Sequence, residues 1–269
     1  MSLPTPAPDR TALVTGASSG IGAELARELA RRGHGLTLVA RRAERLEELA
    51  EELADRGVRI EVMPTDLTDA SARAELPRKV ADLGLELDIL VNNAGLSTTG
   101  PVHRSDPDAE MRMVELDVAT VADLCSRALP AMVERGRGAV LNVASTAAFQ
   151  PLPGQAGYGA CKAFVLSYTR SLAGELRGTG VVATALCPGP VETEFADVAG
   201  FGEDDTSTMP SFVWESADAV ARAGINGLDA GHQVVIPGTA NRVTAALASI
   251  TPKQLLVPIL AKFHPALKD

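Results

Sequence analysis

The chain has 269 residues, 46% of them apolar and 22% charged, which suits a folded chain with a large core and excludes a disordered one. A formal net charge of −9 argues against nucleic acid as a partner, because nothing in the sequence would offset phosphate repulsion. Cys125, Cys161 and Cys187 are widely spaced and odd in number, and the opening MSLPTPAPDR lacks the apolar core of a signal peptide. These features predict a reducing, cytoplasmic setting and no disulfide framework. No apolar run reaches transmembrane length, and His34, His103, His232 and His264 share no ligand-like spacing, so no metal is assigned.

Residues 1–10 read as a flexible N-terminus, and the first half then alternates strand and helix, the mark of an α/β fold. Thr11–Thr15 is a short apolar strand, followed at once by GASSGIG at Gly16–Gly22. From Ile21 to Arg32, the residues Ile21, Leu25 and Leu29 recur at helical spacing. A strand, a glycine turn and a helix N-terminus make a site for an anionic phosphate, since free backbone N–H groups and the helix dipole attract the charge. The spacing here is G-x-x-x-G-x-G rather than G-x-G-x-x-G, so the turn by itself reads equally as a cofactor cradle or a plain tight turn.

Gly35–Ala40 is the next strand and ends at Arg41-Arg42. In dinucleotide folds an acid near this point accepts from the ribose hydroxyl of NAD, whereas an arginine accommodates the 2′-phosphate of NADP. Two arginines and no acid favour NADP(H), with Arg41 the first candidate and Arg42 beside it. The alternative is the solvated start of a helix whose Leu46, Leu49 and Leu53 face the sheet. Val58–Pro64 leads to Asp66-Leu67, where Asp66 either accepts from an adenine amino group or caps a turn with Thr68 and Asp69. Asp88–Val91 is a fourth strand ending in Asn92-Asn93-Ala94-Gly95. Those amides suit a ligand lying across the sheet edge, and equally suit tying two strands together.

Asp106-Pro107 supplies an N-cap and a first-turn proline for a helix running toward Arg135. Met111, Val114, Val118, Val121 and Leu124 are expected to face inward, with Pro130 bending or interrupting the last turns. The apolar run Ala139–Ala144 reads as a buried strand that delivers Ser145. Tyr158 and Lys162 stand four residues apart and so share one helix face. A free phenol titrates near pH ~10, and a nearby ammonium favours its ionised form, moving it toward the range where acid–base catalysis works. With the Ser145 hydroxyl holding a substrate oxygen, the three make a proton-transfer site; the plain alternative is a surface Tyr and Lys on an ordinary helix. That helix should pass Phe164, Leu172 and Leu176 to Arg177 and end near Gly178.

Val181–Cys187 is a further strand, followed by Pro188-Gly189-Pro190-Val191-Glu192-Thr193. Phe195–Trp214 is irregular, and its Phe195, Phe201, Met209, Phe212 and Trp214 either roof a hydrophobic pocket or anchor a loop. Ser216 caps a helix to Gly227, and Gln233–Pro237 is the last strand. Beyond it, Thr239–Asp269 carries a helix start at Thr251-Pro252 and an apolar stripe of Leu255, Leu256, Ile259, Leu260 and Phe263, flanked by Lys253, Lys262 and Lys268. Such a helix packs on its own domain, on a second subunit, or on a membrane surface.

TGASSGIG at Thr15–Gly22, Asp66, the NNAG of Asn92–Gly95, Ser145, Tyr158-x-x-x-Lys162 and Pro188-Gly189 follow one another in an order and at separations that resemble the short-chain dehydrogenase/reductase family, from about Thr11 to Pro237. The resemblance implies a Rossmann-type doubly wound, mainly parallel seven-stranded sheet with helices on both faces. It implies one NAD(P)-binding catalytic domain over 11–238, a substrate-covering segment at about 195–214, and a helical extension over 239–269. It implies cofactor contacts from the glycine turn (Gly16, Ser18, Ser19, Gly20, Ile21 and Gly22), from Arg41 and Arg42, from Asp66 and Leu67, and from Asn93, Ala94 and Gly95. Pro188, Gly189, Val191 and Thr193 are implied around the nicotinamide. In catalysis Tyr158 would exchange the proton, Lys162 would lower the phenol's pKa and bond the nicotinamide ribose, and Ser145 would hold the carbonyl oxygen.

One position departs from the family pattern. Many members carry an asparagine that holds a water in the proton relay to the lysine, and the matching stretch VELDV places Asp117 there. An ionised carboxylate cannot donate a hydrogen bond, and its charge can pair with Lys162. Either the lysine's effect on Tyr158 is weakened, or the relay survives through the backbone carbonyl. The expected activity is NADP(H)-dependent interconversion of a hydrophobic carbonyl compound and its alcohol; the alternative is a catalytically weak NADP(H)-binding sensor or scaffold. Helices resembling those that pair subunits in the family predict a homodimer or homotetramer.

Overall fold

The computed structural model describes residues 3–195, 213–263 and 267. Seven strands form one sheet in the order β3-β2-β1-β4-β5-β6-β7, and every pairing is parallel. They are β1 (Arg10–Thr15), β2 (Gly35–Ala40), β3 (Ile60–Pro64), β4 (Glu86–Asn92), β5 (Gly138–Val143), β6 (Val181–Leu186) and β7 (Val234–Val235). The α-helices among the described residues are α1 (Gly20–Arg31), α2 (Ala43–Leu53), α3 (Ala70–Ala74), α4 (Leu76–Asp82), α5 (Pro107–Val114), α6 (Thr120–Glu134), α7 (Ala156–Glu175), α8 (Ala217–Asp229), α9 (Thr239–Ile250) and α10 (Lys253–Phe263).

Strands β2, β5 and β6 are buried along their whole length, as expected of a parallel sheet covered on both faces. Alternate residues of each strand feed opposite cores. Ala12 and Val14 join Leu25 and Leu29 of α1, Leu46 of α2 and Ile225 of α8 on one face. Leu13 joins Val80 of α4, Leu124 of α6 and Val165 of α7 on the other. Pro64 is tolerated because β3 is an edge strand with a partner on one side only. The chain departs in opposite directions from β1, whose neighbours are β2 and β4, and this reversal opens a crevice at the strands' carboxyl ends.

The helix that starts at Pro107 differs from the even periodicity read in the sequence. Asp106 caps it as expected, its carboxylate accepting from the Asp108 N–H at 3.0 Å. A π-helical turn over Glu115–Ala119 then inserts an extra residue and rotates the face before the turn. Met113 is therefore fully buried, while Met111 is 64% exposed and Val114 is exposed too. Val121 and Leu124 point inward as expected. Pro130 lies inside α6 without ending it. Helix α7 stops at Glu175, short of the expected Arg177, and β7 is two residues long rather than the five of Gln233–Pro237.

Helices α9 and α10 bury Asn241, Ala245 and Ala248 and leave Val243, Leu247, Leu255 and Ile259 exposed. No helix among the described residues is long and apolar enough to cross a membrane. Lys253 is exposed, and its ammonium donates to Ala248 O at 2.6 Å and Phe149 O at 3.3 Å.

Met113→Ala should cost about 2–5 kcal/mol of stability, the range for a large buried side chain truncated to alanine. Met111→Ala should stay within about 0.5 kcal/mol. Urea unfolding of the two variants checks the register imposed by the π turn, and equal losses would contradict it.

Candidate active site

Strand β1 ends at Thr15, and the backbone turns at Gly16 and Gly20 with φ of +65° and +53°, the region that favours glycine. A Cβ on Gly16 would lie 2.8 Å from Asn93 Nδ2 and 2.9 Å from Ala94 Cα, and one on Gly22 would collide with the Gly16 carbonyl. The turn thus presses against the end of β4. Asn93 fastens the contact: its N–H donates to Thr15 Oγ1 at 2.9 Å, and its Nδ2 to Thr15 O at 3.0 Å. Ala94 N–H donates to the same hydroxyl at 3.1 Å. Of the two roles open for the amides, tying strands together is visibly filled. Ser19 caps α1 without a side-chain hydrogen bond, and the first turn of the helix holds no acid, so the helix itself supplies no counter-charge to its N-terminal N–H groups.

Arg42, rather than Arg41, lies across this turn. Its guanidinium reaches Ser19 Oγ at 2.9 Å and Ser18 Oγ at 3.1 Å, and pairs with Glu194 at 3.0 Å. Arg41 is exposed, and its charge acts on Asp66. Asp66 takes the turn-capping alternative: Oδ1 accepts from Thr68 N at 3.0 Å and Thr68 Oγ1 at 2.8 Å, which holds the carboxyl below its ordinary value. Leu67 is buried, and its carbonyl accepts from Arg73 at 2.8 Å and from Thr120 at 3.1 Å.

The second cluster lies where β5 and β6 end. Ser145 caps a short 3-10 turn (Thr146–Phe149), its Oγ accepting from Ala147 N at 3.1 Å. Thr146 N donates to Pro188 O at 2.8 Å, which binds the Pro188–Gly189 turn to the same spot. The Tyr158 phenol lies beside the Ser145 hydroxyl, which favours its ionised form. Lys162, one turn along α7, is buried, with Nζ 5.5 Å from the Tyr158 ring centroid and 3.4 Å from Val143 O. The π turn delivers Asp117 to the other side of this ammonium, Oδ2 to Nζ 2.9 Å, and Leu96 N donates to Oδ1 at 2.7 Å. Gly95 closes the packing, since a Cβ there would lie 3.1 Å from Asp117 Oδ2 and 3.2 Å from Lys162 Nζ. Ser145, Tyr158, Lys162 and Asp117, far apart in sequence, are one contiguous site.

Their electrostatics correct one expectation. Burial drives the Tyr158 phenol above its ordinary value; Lys162 and the Ser145 hydroxyl lower it, Asp117 raises it, and burial prevails. Lys162 therefore pulls the phenol's pKa down, as expected, without bringing it below the free value. Burial also pulls the Lys162 ammonium down, but Asp117 and Tyr158 outweigh this and hold it above the usual lysine range. Asp117 is pushed up by burial, against the opposing pull of Lys162 and the Leu96 N–H.

Several residues that no motif marks complete the site. Phe195 packs against Tyr158 with ring centroids 5.8 Å apart. Gln155 Nε2 donates to Ser97 Oγ at 2.8 Å, and Thr98 Oγ1 donates to Glu110 Oε1 at 2.6 Å. Thr193 lies over the glycine turn, 3.1 Å from where a Gly20 Cβ would be, and Val191 pairs with Glu215 in an isolated bridge. Gly189 leaves room for the Asn241 side chain, so the first turn of α9 packs on the Pro188–Gly189 turn. Trp214 is half-buried; Phe201, Met209 and Phe212 lie outside the described residues. No three His, Cys, Asp or Glu among the described residues converge as metal ligands would.

The family model described as short chain dehydrogenase matches residues 10–201. An uncharacterized oxidoreductase of Myxococcus xanthus is 37% identical over 246 residues, covering 91% of this chain and 94% of its own. Among solved structures, a short-chain dehydrogenase from Sphingobium yanoikuyae in complex with NADPH is 35% identical with a TM-score of 0.80, over 93% of this chain and 95% of that one. The bulky-bulky ketone specific alcohol dehydrogenase from Comamonas testosteroni is 30% identical with a TM-score of 0.75, over 98% of both chains.

Gly22→Ala should destabilise the protein by about 1–3 kcal/mol, as overpacking does. Gly174→Ala, at a helical position with open space around it, should add about 0.5–1 kcal/mol. Thermal melts of the two variants should move in opposite directions, and a neutral Gly22→Ala would show that the turn is not as tightly held as described.

Proposed function

Because the chain belongs to the short-chain dehydrogenase family, whose members are oxidoreductases acting on alcohols and carbonyls, we propose that it is an NADP(H)-dependent enzyme interconverting a hydrophobic ketone and its secondary alcohol. The observation that carries this reading is the convergence of Ser145, Tyr158 and Lys162 beside a glycine turn with open helix N–H groups. A protein that only bound the nucleotide would have no use for all three.

The residues present fit a dinucleotide. Side chains at Gly16 and Gly22 would push the turn off the end of β4 and one at Gly20 would press on Thr193, so the glycines keep the turn's shape, and the α1 N-terminus favours a pyrophosphate. Arg42 at Ser18 and Ser19, with Arg41 beside it and no acid at the end of β2, supports NADP(H) over NAD(H). The NADPH held by the similar Sphingobium yanoikuyae protein supports the same preference. When bound, the cofactor supplies a hydride to the carbonyl carbon in reduction and accepts one in oxidation.

The chain's own residues manage the proton. Ser145 Oγ accepts from Ala147 N, so its O–H is its donor, to the phenol oxygen of Tyr158 or to a substrate oxygen. The Tyr158 O–H is the second donor to that oxygen and gives up its proton as the carbon takes the hydride, leaving a phenolate that Lys162 stabilises. Solvent then restores the phenol. In oxidation the phenolate takes the alcohol proton.

Phe195 against Tyr158, and the likeness to an enzyme specific for bulky ketones, support an apolar substrate of moderate size. We read residues 11–238 as one catalytic domain and 239–269 as an extension packed on it through Asn241 and Lys253. Exposed Met111, Val114 and Phe164 on α5 and α7 support a homodimer or homotetramer. Three free, buried cysteines accord with a cytoplasmic location.

Tyr158→Phe should lower turnover of a ketone panel by roughly 10²–10⁴-fold, the share that a positioned acid supplies, while NADPH affinity stays near wild type. Full activity in that variant would remove Tyr158 from the chemistry. NADP⁺ at ~100 times its Kd should add about 2.7 kcal/mol of stability, visible as a raised Tm, with NAD⁺ at the same concentration adding far less. Arg42→Ala should abolish most of that difference and Arg41→Ala only part of it; the reverse ranking would return the 2′-phosphate to Arg41.

A further inference from the structure

Resting on the oxidoreductase reading, we infer that the Asp117 carboxylate is a positioning residue that sets the pH at which this site becomes active, by engaging the Lys162 ammonium and keeping Tyr158 in its acid form at neutral pH. The geometry is closed around this pair. Asp117 and Lys162 are both buried, Oδ2 and Nζ are 2.9 Å apart, and the Leu96 N–H fixes the other carboxylate oxygen at 2.7 Å. Gly95 packs so closely on both partners that a side chain there would press on each. The ammonium also faces the tyrosine ring, 5.5 Å from its centroid. An ammonium held by a carboxylate presents the phenol with a dipole rather than a full positive charge, and the stabilisation of the phenolate falls accordingly.

The other groups around the tyrosine do not reverse this. On its own helix, Lys162 is accompanied by Cys161, whose thiol burial pushes up to about 11 and which stays neutral. From the end of β5 comes the Ser145 hydroxyl, and from the far side the apolar ring of Phe195. Helix α5 contributes Glu110, a second carboxylate, bonded to Thr98 and packed beside Gly157. Burial and Asp117 together hold the phenol above its ordinary value despite Lys162.

The two directions of the reaction use opposite forms of this phenol. Reduction moves hydride to the carbonyl carbon and the phenolic proton to its oxygen, turning ketone and NADPH into alcohol and NADP⁺. It draws on the protonated form, which is fully populated at neutral pH. Oxidation starts from the phenolate, and each pKa unit above ambient pH makes that form tenfold scarcer. Asp117 thus leaves the reaction's equilibrium untouched and moves the pH at which oxidation becomes fast.

The chain has two tyrosines, so Tyr168→Phe leaves Tyr158 as sole reporter for a direct titration of tyrosinate by ultraviolet difference absorbance. In that protein without cofactor, Tyr158 should titrate above the ordinary value of about 10. Adding Asp117→Asn, close in shape but uncharged, should lower its pKa by at least about one unit, a tenfold change in phenolate. In parallel, the alkaline limb of kcat/KM for alcohol oxidation with NADP⁺ should fall by the same interval, and reduction with NADPH at neutral pH should rise in step, because the reaction's equilibrium ties the two. A Tyr158 that titrates at or below about 10 with Asp117 in place overturns the inference, with no variant at Asp117 required. So does an oxidation profile that Asp117→Asn leaves unmoved. If no ketone or alcohol is turned over by either protein, the oxidoreductase reading fails and the inference with it; the titration distinguishes that outcome from an Asp117 with no effect on the phenol.

Discussion

The site depends on how closely the end of β1 approaches the end of β4. Thr15 offers its hydroxyl and carbonyl to Asn93 and Ala94, and Gly16 and Gly22 remove the side chains that would hold the two segments apart. Because the chain leaves β1 in opposite directions toward β2 and β4, this junction also marks the opening of the crevice. The glycine turn, the open N-terminus of α1 and the Gly95 backbone that covers the lysine pair all take their positions from it. The fold needs the junction for sheet continuity and the site needs it for geometry, so one set of hydrogen bonds serves both.

At the other end of the crevice the organising feature is a buried charge pair. Burying two ions is expensive, and the attraction repays it only where geometry is close and remaining valences are met. Asp117 meets the first condition, with the Lys162 ammonium 2.9 Å from one oxygen and the Leu96 N–H on the other, but the oxygen facing Lys162 makes no aligned hydrogen bond, so the pair is held by charge more than by hydrogen bonding. The π turn at Glu115–Ala119 is what brings the carboxylate there, and the same extra residue turns Met113 inward and Met111 outward. A local irregularity in one helix thereby sets both a patch of surface and the charge environment of the phenol.

The C-terminal segment is part of this arrangement. Asn241 fills the space left by Gly189 and donates to Val213 O at 3.1 Å, while Lys253 donates to the carbonyl of Phe149, at the end of the turn that Ser145 caps. Helices α9 and α10 therefore brace both turns, and Val243, Leu247, Leu255 and Ile259 remain exposed on them.

Much of this was legible in the sequence by itself. Buried parallel strands read as apolar runs, a four-residue spacing places Tyr158 and Lys162 on one face, and a glycine turn before an amphipathic helix marks an anion site, since each is a local property of the chain. Tertiary structure decided what depends on residues remote in sequence. Arg41 and Arg42 are equivalent as letters, and only the packing of β2 against the glycine turn lays Arg42 across Ser18 and Ser19. The inward face of the α5–α6 segment follows a π turn that no even periodicity reveals. Ser97, Gln155 and Asn241 carry no motif, because their roles come from neighbours many residues away. The sequence alone also left open whether Asp117 meets Lys162. That pairing, and the balance of burial over charge at Tyr158, exist only once β4, the π turn and α7 are packed together, because desolvation and Coulomb forces act through space and not along the chain.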